Sequence, residues 1–226
     1  MSLTQISDKR GRFEIGSIDY SLYLVTNRSL SRERATLKIV KAAICGGVTC
    51  VQLREKNCSN RTFIKEALSL KEYLKEKNIP LIINDRVDVA QAIGADGVHL
   101  GQTDMPLAMA KDILKGSMII GISVESLEDA IRAEKDGADY IGISPIFATP
   151  TKTDTALPLG LEGLKEISRA VSLPKVAIGG LNPENAGEVI LNGADGIAVV
   201  SAIVSADDPM KAAEKLSSII KKARIS

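Results

Sequence analysis

Four times in this chain a small-residue turn runs straight into an apolar stretch: Gly46-Gly47-Val48-Thr49-Cys50-Val51, Gly94-Ala95-Asp96-Gly97-Val98-His99-Leu100, Gly137-Ala138-Asp139-Tyr140-Ile141-Gly142 and Gly193-Ala194-Asp195-Gly196-Ile197-Ala198-Val199. Each reads as a helix end, a tight turn and a buried strand. Four more apolar runs, residues 20–26, 80–83, 118–123 and 174–179, alternate with these, and they are too short for helices and rich in β-branched residues. The chain therefore carries eight expected strands. Helical periodicity fills the gaps, over residues 35–44, 61–77, 87–93, 107–114, 127–135, 161–171, 185–191 and 209–223. Strands alternating with helices demand a parallel sheet, because the crossover helix must return the chain before the next strand begins.

Eight such units close into a (βα)8 TIM barrel, and 226 residues suffice for one such α/β domain with a single large core. A doubly wound open sheet would carry GxGxxG after its first strand, whereas this strand ends in Thr26-Asn27-Arg28. The barrel is expected over residues 20–226, preceded by an N-terminal extension, residues 1–19, of mixed charge and little periodicity.

Composition narrows the function classes. Twenty-nine basic residues against twenty-eight acidic ones leave a net charge of +1, no field for nucleic acid or an anionic membrane, so anion binding must be local. Aromatic residues make up 3% of the chain and tryptophan is absent, which argues against stacking platforms for bases. Cys45, Cys50 and Cys58 have no metal-ligand spacing and read as reduced thiols of a cytoplasmic protein. No apolar run approaches a membrane span and the polar N-terminus has no signal-peptide core. Self-association is left open.

In such a barrel the chemistry belongs at the C-terminal strand ends. Strand two ends Gln52-Leu53-Arg54-Glu55-Lys56, and alternation puts Gln52, Arg54 and Lys56 on one side, an amide and two cations suited to an anion. Asp85 after strand three and Asp104 after strand four supply two carboxylates, the complement with which Mg²⁺ is held alongside phosphate oxygens. Either aspartate alone would more often cap the helix that follows it. His99 is the one histidine, so neither a catalytic triad nor a His-rich zinc site can be assembled, and it is equally readable as a packed strand residue. The stretch from Ser144 to Asp154 has the length of a functional loop, with Thr149, Thr151 and Lys152 as phosphate donors. Strands seven and eight end in Gly179-Gly180 and Val200-Ser201, where barrels frequently hold a phosphate on backbone N–H groups.

The ordered set Gln52-Leu53-Arg54-Glu55-Lys56, Asn84-Asp85-Arg86, Gly97-Val98-His99-Leu100-Gly101-Gln102, Thr149-Pro150-Thr151-Lys152-Thr153-Asp154 and Ile178-Gly179-Gly180 resembles the thiamine phosphate synthase family. The resemblance runs over about residues 20–205, and its first four motifs in this order are specific. It implies a transferase that joins a hydroxymethylpyrimidine diphosphate to a thiazole phosphate, forming thiamine phosphate and releasing pyrophosphate. Position by position it implies that Gln52, Arg54, Lys56, Asn84, Ser123 and Lys152 bind the pyrimidine diphosphate, that Asp85 and Asp104 ligate Mg²⁺, and that Thr149, Thr151, Gly180, Val200 and Ser201 hold the thiazole phosphate. The same motifs add Leu53, Glu55, His99 and Pro150 to the substrate-binding set, with Arg54, Lys56, Ser123 and Lys152 as the catalytic subset. Thr103 and Ser144 depart from the residue types common at their positions without removing a ligand.

The expected chemistry is a dissociative substitution in which cations stabilise the departing pyrophosphate and the thiazole nitrogen captures a pyrimidine-methylene cation. A thiazole tautomerase of the same family would need a proton-transfer group where the chain offers Ser123, a poor base. A non-catalytic phosphometabolite-binding barrel would have little use for paired aspartates beside a basic strand end.

Overall fold

The structure, a computed structural model, describes residues 18–149 and 157–225 of the chain. Eight parallel strands form a closed barrel in sequence order: β1 (Leu22–Val25), β2 (Cys50–Leu53), β3 (Leu81–Asn84), β4 (Gly97–Leu100), β5 (Ile119–Val124), β6 (Tyr140–Ile143), β7 (Lys175–Ile178) and β8 (Gly196–Val199). The ring closes where Leu22 of β1 aligns with Ile197 of β8. Around it lie α1 (Thr36–Cys45), α2 (Asn60–Glu76), α3 (Val87–Ile93), α4 (Leu107–Leu114), α5 (Leu127–Lys135), α6 (Gly160–Ala170), α7 (Ala186–Leu191), α8 (Ser201–Val204) and α9 (Pro209–Ala223). The expected barrel is thus the observed one. The expected extension falls almost wholly outside the described residues, except that Ile18 and Asp19 are placed. Among the described residues no helix is long and apolar enough to cross a membrane.

Strand alternation sorts the side chains into two cores. Leu22, Leu24, Val51, Leu53, Leu81 and Ile83 point outward into the layer shared with the helices, while Tyr23, Val25, Cys50, Ile82, Tyr140 and Val176 fill the barrel. Gly121 is required by that interior: a Cβ there would lie 2.1 Å from Cζ of Tyr140, so the ring occupies the space a side chain would need.

The repeated turn has a purpose beyond turning. Asp96 at the start of β4 donates its N–H to Leu81 O (3.1 Å) and accepts the Leu81 N–H on Oδ2 (2.9 Å). Asp139 grips Ile120 in the same two-bond way (2.9 and 2.7 Å), and Asp195 grips Lys175 (2.8 and 2.8 Å). Thr49 does so with its hydroxyl at Leu22 (2.9 and 3.1 Å). Each even strand is therefore pinned to the odd strand before it at the N-terminal end of the barrel, the face that carries stability. The opposite, C-terminal end is left to the loops.

Several helix starts follow from local chemistry. Ser59 and Ser126 accept the Thr62 and Asp129 N–H groups to begin α2 and α5, and Asp208 accepts from Met210 and Lys211 ahead of α9, whose first residue is Pro209. Four-residue α8 and a short 3₁₀ turn, Arg28–Leu30, were not expected from sequence, since neither spans enough residues to show periodicity.

Candidate active site

The C-terminal mouth holds a cavity of about 760 Å³, the size of a small-molecule site. The β2 end contributes Gln52, Arg54 and Lys56 to its wall, as alternation requires. Arg54 is aligned by its own N–H, which donates to Thr26 Oγ1 at 3.0 Å. Gln52 is 5% exposed and its Nε2 donates to Tyr23 Oη at 3.1 Å. Leu53 and Glu55, expected among the substrate contacts, do not line the cavity. The alternation that turns Arg54 inward turns these two outward: Leu53 is 0% exposed in the outer core. Glu55 accepts the Arg28 N–H at 3.2 Å, and burial pushes its carboxyl upward.

Facing the two cations are Asn84 at the end of β3, Asp85 directly after it and Asp104 after β4. Asp85 holds the left-handed backbone (φ +60°) that few non-glycine residues adopt. Its carboxyl is raised from 3.8 to about 6, first by burial and then by the hydrogen bond and charge of Asp104, against the pull of Lys56 and Arg54. Neither aspartate is a helix cap. Helix α3 starts after Arg86 and α4 after Pro106, both without a side-chain cap. Asp104 Oδ2 instead accepts the Gly101 N–H at 2.6 Å, closing its own turn. Among the described residues no three His, Cys, Asp or Glu side chains gather to hold a metal. Two adjacent carboxyls beside Arg54 and Lys56 are nevertheless a donor set that fits a hard dication completed by phosphate oxygens.

On the far side the cavity is bounded by Thr149, Gly180, Val200 and Ser201. Gly180 has φ +64°, and a Cβ on it would lie 2.7 Å from Ala148 O, so the loop after β7 can close onto the loop after β6 only as glycine. Val200 and Ser201 open α8, the short extra helix that barrels place at a phosphate. Arg34 anchors its C-terminal end, donating to Val204 O and Ala206 O at 2.7 Å each. Pro150, Thr151 and Lys152 lie outside the described residues.

The floor holds residues that sequence reasoning missed. Tyr23 and Tyr140 line it, with hydroxyls 3.0 Å apart. His99 Nδ1 is 2.9 Å from Tyr140 Oη, and its Nε2 is 2.9 Å from Ser123 Oγ. Three of the chain's four tyrosines, Tyr20, Tyr23 and Tyr140, face into this one interior, a concentration that inward-facing positions on β1 and β6 signalled. Thr103 and Ser144, the two departures, also line the cavity.

Residues 22–203 match the family described as TMP-TENI, thiamine monophosphate synthase. The chain is 52% identical over 203 residues to the thiamine-phosphate synthase of Chloroflexus aurantiacus, covering 90% of this chain and 94% of that one. It is 55% identical over 199 residues to that of Albidiferax ferrireducens, covering 88% and 91%. Among solved structures, the thiamine phosphate pyrophosphorylase from Pyrococcus furiosus superposes with a TM-score of 0.85 at 43% identity, covering 91% of this chain and 97% of that one. A 3-hexulose-6-phosphate synthase from Salmonella typhimurium, 18% identical with a TM-score of 0.70 over 90% of this chain and 99% of its own, shares the barrel alone.

Proposed function

The chain belongs to the thiamine monophosphate synthase family, and we propose that it condenses 4-amino-2-methyl-5-hydroxymethylpyrimidine diphosphate with 4-methyl-5-(2-phosphooxyethyl)thiazole, giving thiamine phosphate and pyrophosphate. The observation that carries this reading is the two-ended cavity: Arg54 and Lys56 across from Asp85 and Asp104 at one end, Gly180 and the start of α8 at the other. Such a cavity suits two phosphorylated substrates held side by side.

At the first end Arg54 and Lys56 meet the diphosphate, and their charge counts most as pyrophosphate departs, which is stabilisation aimed at the transition state. Lys152, three positions after Thr149 in the sequence, adds a third cation in this reading. Asp85 and Asp104 would hold Mg²⁺, which when bound supplies a Lewis acid for the diphosphate oxygens. Asn84 and Gln52 orient the pyrimidine end, His99 forms the wall against it, and Ser123 donates a hydrogen bond to the diphosphate. Thr149, Pro150, Thr151, Gly180, Val200 and Ser201 hold the thiazole phosphate and set its nitrogen in line with the methylene carbon. The C–O bond to pyrophosphate breaks, the aminopyrimidine carries the positive charge, and the thiazole nitrogen supplies the pair for the new C–N bond. No strong base is needed. The barrel floor keeps water from the cation.

The protein is read as cytoplasmic, in keeping with free Cys45, Cys50 and Cys58. The test is pyrophosphate release by the purified protein given the pyrimidine diphosphate and Mg²⁺. Release that requires the thiazole phosphate and stops with EDTA is expected. Isomerisation of the thiazole phosphate without release would overturn the assignment.

A further inference from the structure

Beneath the cavity, five side chains form one unbroken run of hydrogen bonds from β2 to β5: Gln52 Nε2 to Tyr23 Oη (3.1 Å), Tyr23 Oη to Tyr140 Oη (3.0 Å), Tyr140 Oη to His99 Nδ1 (2.9 Å) and His99 Nε2 to Ser123 Oγ (2.9 Å). We propose that Tyr140 is a positioning residue which, backed by Gln52 and Tyr23, fixes His99 as the Nε2–H form and so turns the Ser123 hydroxyl hydrogen toward the cavity.

The proposed direction is the one in which both phenolic hydrogens of the run find an acceptor within the run. An amide nitrogen can only donate, so Gln52 makes Tyr23 oxygen an acceptor. Tyr23 then has one hydrogen to give, and in the proposed direction the Tyr140 oxygen, 3.0 Å away, takes it. In that direction Tyr140 gives its hydrogen to Nδ1 of His99, which is then the bare nitrogen. The neutral imidazole carries its hydrogen on Nε2 and donates it to Ser123 Oγ. Ser123, having accepted, is left with its own hydrogen for another partner. Both phenols are held in their protonated form, chiefly by burial, so neither link loses its hydrogen.

The fold is built around this run. His99, Gly121 and Tyr140 are aligned on adjacent strands, as are Ser123 and Gly142. Gly121 clears the space for the Tyr140 ring, and a Cβ on Gly142 would lie 3.0 Å from Cε1 of His99. Two glycines on neighbouring strands therefore seat the two rings of the run.

The acceptor of the Ser123 hydrogen, a phosphate oxygen of the departing diphosphate, rests on the proposed coupling reaction; the direction of the run does not. His99 is the one histidine in the chain, so its ring nitrogens can be read without assignment in ¹⁵N-histidine-labelled, tag-free, ligand-free protein. The expected spectrum is a single Nε2–H form in the unsubstituted protein, with Tyr140→Phe converting it to a mixture of both forms. An Nδ1–H form in the unsubstituted protein overturns the proposal, as does a Tyr140→Phe spectrum identical to it. In steady state Tyr140→Phe should lower kcat about 10- to 100-fold, the range for partners that orient a functional histidine, with KM little changed. A raised KM with kcat intact overturns the positioning role. Failure of the unsubstituted protein to couple the substrates would overturn the functional reading alone, since the spectrum is taken without them.

Discussion

Replacing Asp96 tests whether the repeated turn clamps the barrel. Leu81 is 0% exposed, and its N–H is taken by Asp96 Oδ2 at 2.9 Å. Asp96→Ala leaves that buried donor unsatisfied, which costs about 2 kcal/mol, or roughly 4 to 8 °C in Tm for a chain of this length. Asp96→Asn keeps a carbonyl oxygen in place and should cost less than about 1 kcal/mol. The pair also separates hydrogen bonding from charge. Burial, the largest influence, raises the Asp96 carboxyl from 3.8 to about 6. A raised folded-state value means that the fold binds a proton the unfolded chain has released. Stability from this group is therefore full below about pH 4 and declines as pH rises to about 6. The stability of the unsubstituted protein relative to Asp96→Asn should fall across that window. Urea unfolding of the three proteins at pH 4.5, 6 and 7.5 measures all of this. At pH 4.5, an alanine variant within about 0.5 kcal/mol of the parent, or an asparagine variant as damaged as the alanine one, would refute the clamp.

Three further outcomes are expected. Gly121→Ala places a methyl where the Tyr140 ring stands, so it should cost about 1 to 3 kcal/mol in thermal unfolding. Arg34→Met removes the donors to Val204 O and Ala206 O and should destabilise the fold by about 2 kcal/mol, while raising KM for the thiazole phosphate more than for the pyrimidine diphosphate. Arg54→Ala should cut kcat by about 10²- to 10³-fold, the scale for one preorganised donor to developing negative charge. Its Tm should stay close to the parent's.

The barrel was legible because its signals are local and repeated: a glycine turn before each even strand, β-branched runs between, and helical periodicity in the gaps. Alternation from Gln52 correctly carried Arg54 and Lys56 to the mouth, and the same rule, applied to Leu53 and Glu55, turns them away from it. In sequence Asp96, Asp139 and Asp195 have the signature of turn residues only, because their partners, Leu81, Ile120 and Lys175, lie on other strands 15 to 20 positions away. Tyr23 and Tyr140, separated by 117 positions, meet only when the barrel closes, so their link to His99 had no sequence signal beyond inward-facing register. The left-handed backbone of Asp85 was likewise invisible, since aspartate seldom adopts it.

The most direct measurement of the central claim is mass spectrometric detection of thiamine phosphate from the two purified substrates with Mg²⁺, alongside pyrophosphate, for the parent protein and Arg54→Ala. The account expects one thiamine phosphate per pyrophosphate, nothing when either substrate is withheld, and almost none from the variant. Pyrophosphate without thiamine phosphate, or full product from Arg54→Ala, would contradict it.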